Sequence, residues 1–152
     1  MTSTLITQFI LATMATCGLS IIFRVPVKKI PVCAIIGGLG WVACQVVMFS
    51  GFSITFGCFV GACAVALLSD ISSKLLREAA TIFIIPGIMP LVPGAGMYRT
   101  MLALLHNDMS GFATEGTQTL VAAGAIAVGL LVMGSLLRLV RTVKRKLHPA
   151  SR

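Results

Sequence analysis

Ile85-Pro86-Gly87-Ile88-Met89-Pro90-Leu91-Val92-Pro93-Gly94-Ala95-Gly96-Met97-Tyr98-Arg99 puts three prolines and three glycines into the 11 residues from Pro86 to Gly96. The stretch falls within Ala79 to Tyr98, a run with no Asp, Glu, Lys or Arg. Each proline removes a backbone donor and clashes with the turn before it. The residue ahead of each is pushed away from helix. One kink needs one proline, so three with glycines predict a half-helix over about 72–85, an irregular stretch, and a second half-helix from about Met97. Irregular backbone at bilayer depth is tolerated only where protein buries it or where it lines a watery cavity. The stretch therefore points to a transport pathway, with a structural kink packed against its neighbours as the plainer alternative.

The flanking sequence supplies the membrane. Met1 to Phe23, Ile30 to Ser69 and Gly116 to Leu137 are also free of charged side chains. The chain is 57% hydrophobic and 11% charged, where soluble domains carry about 25% charge. A spanning helix needs roughly 20 apolar residues. Ile30 to Ser69 would reach about 60 Å as one helix, twice the core of about 30 Å, so it must turn at Ser50-Gly51-Phe52-Ser53. The expected fold is an all-α integral membrane protein, one transmembrane domain over 1–152. It has about five transmembrane helices near 4–23, 31–49, 53–69, 79–105 and 117–137, the fourth broken, and a short basic C-terminal tail. A cleaved signal peptide fits the first run poorly, because Met1-Thr2-Ser3-Thr4 carries no positive side chain.

Charge placement orients the bundle. Arg24, Lys28 and Lys29 follow the first crossing, and Lys74 and Arg77 follow the third. Arg138, Arg141, Lys144, Arg145, Lys146 and Arg152 follow the fifth. The opposite loops hold His106, Asp108 and Glu115. The positive-inside rule then puts the N-terminus outside and the C-terminus in the cytoplasm. If the proline-rich segment dipped in and returned, the tail would lie on the wrong side, so a full crossing is expected. The net charge of +8 reflects this bias and a tail lying against anionic lipid; no motif supports a nucleic-acid partner. Cys17, Cys33, Cys44, Cys58 and Cys63 form no Cys-x-x-Cys pair and have no nearby histidine, so they read as small packing residues rather than metal or redox groups.

The candidate site residues follow from the break. Gly94-Ala95-Gly96 would leave backbone N–H groups free at the positive start of the second half-helix, a place that attracts carboxylates. Arg99, one turn on, either joins that anion site or snorkels to the outer headgroups. Pro86, Gly87, Pro90, Pro93, Gly94, Gly96, Tyr98 and Arg99 are the candidate substrate-binding set, with Gly94 read as a place of close backbone approach. Asp70, at the end of the third helix, is a candidate ion-coupling residue or a helix-end carboxylate facing water. Lys74 and Glu78 have the i,i+4 spacing of a solvated pair. His106 and Asp108 read as an exposed outer turn. Gly57-x-x-x-Gly61, and Ala125 with Gly129, read as close helix packing within the subunit rather than a dimer seam. No catalytic set, metal site or cofactor motif is present.

Ala80-Thr81-Ile82-Phe83-Ile84 continuing through Tyr98 resembles the signature of the bacterial threonine/serine exporter family. Arg24-Val25-Pro26-Val27-Lys28 and Gly37-Gly38-Leu39-Gly40-Trp41 are similar to the early part of that family's C-terminal half. The resemblance implies a secondary transporter in the bacterial cytoplasmic (inner) membrane. It would export small hydrophilic metabolites, threonine and serine or similar amino acids, driven by an ion gradient. It also implies a second membrane subunit resembling the family's N-terminal half, which an odd helix count would allow to insert inverted. Export of dicarboxylates such as succinate, and a self-assembling channel or scaffold, are the alternatives; a higher oligomer fits either. An intramembrane enzyme would need a nucleophile pair or paired carboxylates at bilayer depth, and none is found.

Overall fold

A computed structural model describes residues 2–147, with side chains from Thr4 to Val143. Arg152 lies outside the described residues, as do the side chains of Lys144, Arg145 and Lys146. The helices are α1 (Thr2–Ile22), α2 (Ile30–Phe49), α3 (Ile54–Leu76), α4 (Thr81–Ile88), α5 (Gly94–Leu105) and α6 (Met109–Leu147). Single 3-10 turns, Val27–Lys29 and Met89–Leu91, precede α2 and follow α4. There is no strand among the described residues. Four helical stretches are long and apolar enough to cross a bilayer, and the pair Thr81–Leu91 and Gly94–Leu105, bent by 50°, makes five.

The helix ends are written in local chemistry. After α1, the Val25 N–H reaches back to the Ser20 carbonyl and Arg24 N–H to Ile21, closing the end through Arg24 at φ 54°. Gly51 and Asn107 close α2 and α5 in the same way, the left-handed stop that glycine and asparagine accept most readily. Ser53 caps α3, its hydroxyl accepting from the Phe56 N–H at 3.4 Å. Two spans run longer than their charge-free cores. α3 continues from Ser69 to Leu76 because nothing breaks it before the left-handed Arg77. α6 starts at an Asp108 cap and carries no proline through Leu147. Its 39 residues extend about 58 Å, so the charge-free part fills the bilayer core and the basic end continues beyond it.

α2 lies at the centre, packed between α1 and α3, with α4 against α2 and α3 and α6 on the far side of α3. α5 packs on α6 and contributes no buried residue. Small residues set these approaches. A Cβ on Gly57 would stand 3.0 Å from the Cys44 carbonyl oxygen, and one on Gly129 would stand 2.8 Å from that of Phe59. Gly57 and Gly61 of α3 and Gly129 of α6 thus each pack against a neighbouring helix of the same chain. Trp41 donates through Nε1 to Gln8 Oε1 at 3.2 Å, tying α2 to α1.

The connections carrying basic residues share one end. Lys29 Nζ donates to the Leu76 carbonyl at 3.4 Å and lies 3.6 Å from Glu78 Oε1. Asp70 pairs with Lys74 and with Arg141. Two expectations are corrected here. Lys74 does not pair with Glu78, because the helix stops at Leu76 and Arg77 turns left-handed between them; Lys74 turns back to Asp70 and Glu78 meets Lys29. The first half-helix does not span 72–85, because the third span's connection falls there and α4 begins only at Thr81.

Candidate functional site

The break in the fourth span is more compact than its proline content suggests. Pro86 sits inside α4, where it denies the Ile82 carbonyl its helical donor; the Cys33 thiol of α2 donates to that oxygen instead, at 3.6 Å. Pro90 leaves the Pro86 carbonyl in want of a donor, and the Met89 N–H takes it. Pro93 does the same to Met89, whose oxygen receives the Val92 N–H at 3.2 Å. Every carbonyl the three prolines orphan therefore finds a substitute, as an apolar environment demands. Only Val92 and Pro93 remain outside helical turns before α5 starts at Gly94, three residues earlier than expected.

That start opens on a cavity of about 210 Å³. Its floor and walls are the residues from Pro90 to Gly96, the end of α2, the start of α3 and the facing stretch of α6. Cys44, Met48, Ile54, Cys58, Leu91 and Ala122 supply apolar surface; Trp41, Gln45, Arg99, Glu115, Gln118 and Thr119 supply the polar groups. A few convergent polar side chains in a mainly apolar cleft is the usual composition of a small-molecule site. No side chain caps α5. The Gly94 N–H turns back to Val92 at 2.7 Å, and the first helical bond is that of Met97 to Pro93 at 3.1 Å. The Ala95 and Gly96 amides precede that bond and have no helical acceptor.

Arg99 and Glu115 form the charged element of the cavity. The short connection between α5 and α6 folds the two helices into a hairpin. Gly96 against Thr119 and Gly116 against Thr100 let them approach. Arg99 Nε then donates to Glu115 Oε2 at 3.0 Å, with the two side chains 61% and 33% exposed. Arg99 thus neither snorkels alone nor faces the helix start alone. It is held by a carboxylate that the linear sequence assigned to an outer loop.

Of the candidate residues, Pro90, Pro93, Gly94, Gly96 and Arg99 line this cavity. Pro86 and Gly87 do not. Both are buried in the helix bundle, and a Cβ on Gly87 would meet Ile36 of α2 at 3.1 Å and Val65 of α3 at 3.2 Å. Tyr98 is exposed and lies outside the lining. Gly94 is not a point of close approach: nothing lies within 4 Å of a Cβ placed there, whereas a Cβ on Gly96 would collide with Thr119 Oγ1 at 2.4 Å. Trp41, Gln45, Glu115, Gln118 and Thr119 are the polar lining residues that the candidate set left out. The glutamines at bilayer depth were the available signal for two of them.

Asp70 stands apart, 12 residues beyond Cys58 on α3 and so about 18 Å from the cavity. It is not a water-facing helix end. Only 6% of it is exposed, and Arg141 and Lys74 close on its two oxygens. Lys74 Nζ lies 2.6 Å from Oδ2, yet off the line of a hydrogen bond, so the contact is ionic. The neighbouring Ser69 hydroxyl is buried without a partner among the described residues.

The family model described as threonine/serine exporter, ThrE, matches residues 8–136, which include every cavity-lining residue and Asp70. No solved structure matches the chain.

Proposed function

The chain belongs to the threonine/serine exporter family, a family of membrane transporters, and we propose that it carries small amino acids out of the cell through the cavity at the broken span. The observation that supports this is the meeting of four things in one half-open space. They are an interrupted helix, an uncapped helix start, an Arg–Glu pair and a set of amide and hydroxyl side chains. Discontinuous helices of this kind build the binding sites of many secondary transporters. In this reading the substrate carboxylate sits at Arg99 and the Ala95 and Gly96 amides, with Pro90, Pro93 and Gly94 shaping the wall.

The membrane is the bacterial inner membrane, with the basic end of the bundle in the cytoplasm and the cavity in the outer half. Arg99 and Glu115 are partly exposed, and charged groups at membrane depth need protein or water around them. A second membrane subunit covering the open side of the cavity meets that need. The ion gradient is coupled through Asp70: exchanging Arg141 for a proton or a cation would release α6 from α3 at that end.

Efflux of labelled threonine and serine from cells, with and without a co-expressed partner subunit, tests the proposal. Saturable efflux that collapses with an uncoupler is expected. Arg99→Ala should reduce it at unchanged membrane abundance. Gly94→Leu should block it without unfolding the protein, because nothing lies within 4 Å of a Cβ placed there and the position lines the cavity. Normal flux in both variants would remove the cavity from the pathway, and non-saturating, partner-independent leakage would indicate a channel.

A further inference from the structure

We infer that Glu115 is the residue that selects amino acids over other small carboxylates, by receiving the substrate ammonium when the substrate carboxylate takes its place on Arg99. The inference rests on the cavity being the substrate site. Empty, the site is internally neutralised, with Arg99 Nε donating to Glu115 Oε2 at 3.0 Å. A carboxylate that binds Arg99 displaces Glu115, and a carboxylate left without a partner in a largely apolar cleft is costly. A zwitterion brings the missing cation with it. Its ammonium replaces the guanidinium beside Glu115, and the site stays neutral throughout. A dicarboxylate brings two negative charges to a neutral site and also strands Glu115. The pair therefore works as an exchangeable internal substitute for substrate, matched to a ligand that carries an ammonium and a carboxylate on one carbon. The remaining polar groups of the wall, Gln45, Gln118 and Thr119, are suited to a side-chain hydroxyl.

Trp41, the only tryptophan in the chain, lines the same cavity and reports its occupancy. The test is a fluorescence titration of the protein co-purified with its partner subunit in lipid nanodiscs, with L-serine, glycerate and succinate, the Trp41→Phe variant supplying the background to subtract. Glycerate is serine with the ammonium replaced by a hydroxyl. The wild type should bind serine well ahead of glycerate and succinate. Glu115→Gln should weaken serine about 10- to 100-fold, the range for losing a charged hydrogen bond, and leave glycerate as strong or stronger. Glu115→Asp should restore the preference for serine, whereas Arg99→Gln should weaken all three ligands. A serine-to-glycerate ratio unchanged in Glu115→Gln, or a wild type that prefers glycerate or succinate, would overturn the assignment of Glu115 while leaving the cavity as the site. No titration of the wild type by any ligand would overturn the cavity and the role of Glu115 together.

Discussion

Gly61→Ala adds one methyl group where α3 lies against the backbone of α2. Its Cβ would stand 2.5 Å from Leu91 Cδ2, 2.9 Å from the Gly40 carbonyl oxygen and 3.2 Å from Cys44 Cβ. The Leu91 methyl can rotate away, but the Gly40 oxygen belongs to a helical backbone, so α2 must move by several tenths of an ångström. Overpacking of this kind costs about 1–3 kcal/mol, offset by up to about 1 kcal/mol from replacing a helical glycine. A net loss of about 1–2 kcal/mol is expected. Gly124→Ala is the control, since nothing lies within 4 Å of the added Cβ and only the favourable propensity change remains. Cys33, Cys44 and Cys58 are at most 5% exposed, so a thiol-reactive fluorophore reads unfolding as they become accessible during a thermal ramp in detergent. Gly61→Ala should melt below the wild type and Gly124→Ala at or above it. The reverse order, or an unchanged Gly61→Ala, would refute the argument that this glycine is kept for backbone approach.

The Gly111 N–H and the Ser110 hydroxyl hold the Asp108 carboxyl below the usual carboxylate range. Because the folded value is the lower one, the cap on α6 is at full strength above the unfolded value near 3.8 and fades as pH falls through the folded value. Hydrogen exchange at the first turn of α6 should therefore rise on acidification in the wild type and lose that dependence in Asp108→Asn; an identical acid response in both would sink the assignment. Gln8→Leu removes the acceptor of the Trp41 indole N–H and should cost about 0.6 kcal/mol, and at most about 1.7 kcal/mol, as bonds between membrane helices do. The same thermal ramp measures it, and a stabilised variant would show that the bond contributes nothing.

The spans were legible in the sequence because bilayer thickness and charge exclusion act on contiguous residues. The runs Ile30 to Ser69 and Gly116 to Leu137 needed no tertiary information. The extents of α3 and α6 were not, since apolar runs mark where the bilayer is, and a helix continues past it until a residue such as Arg77 turns left-handed. The break at Pro86 to Gly96 was legible as a break. Its shape was not, because the thiol that accommodates Pro86 comes from Cys33, 53 positions earlier in the chain. Half of the charged site was visible as Arg99. Glu115 was hidden because a carboxylate near a loop reads as solvated until the hairpin of α5 and α6 brings it to the arginine. The burial of Asp70 was hidden for the same reason in reverse: its second partner, Arg141, lies in a tail that looks like lipid-facing charge.

α6 joins these two distant charges into one mechanical object. Glu115 near one end and Arg141 near the other are 26 positions apart on an unbroken helix, about 39 Å of rod. Between them Gly129 rests against the Phe59 carbonyl, its missing side chain allowing a contact that a Cβ would bring to 2.8 Å. Gly129 is 14 residues from the first charge and 12 from the second, which makes it a fulcrum near the midpoint. A rigid tilt about that point swings the two ends in opposite directions, so loosening Arg141 from Asp70 on one side would press Glu115 and its hairpin partner inwards on the other. A lever of this form would need no chain of side chains between the two sites; the continuity of one helix would carry the motion.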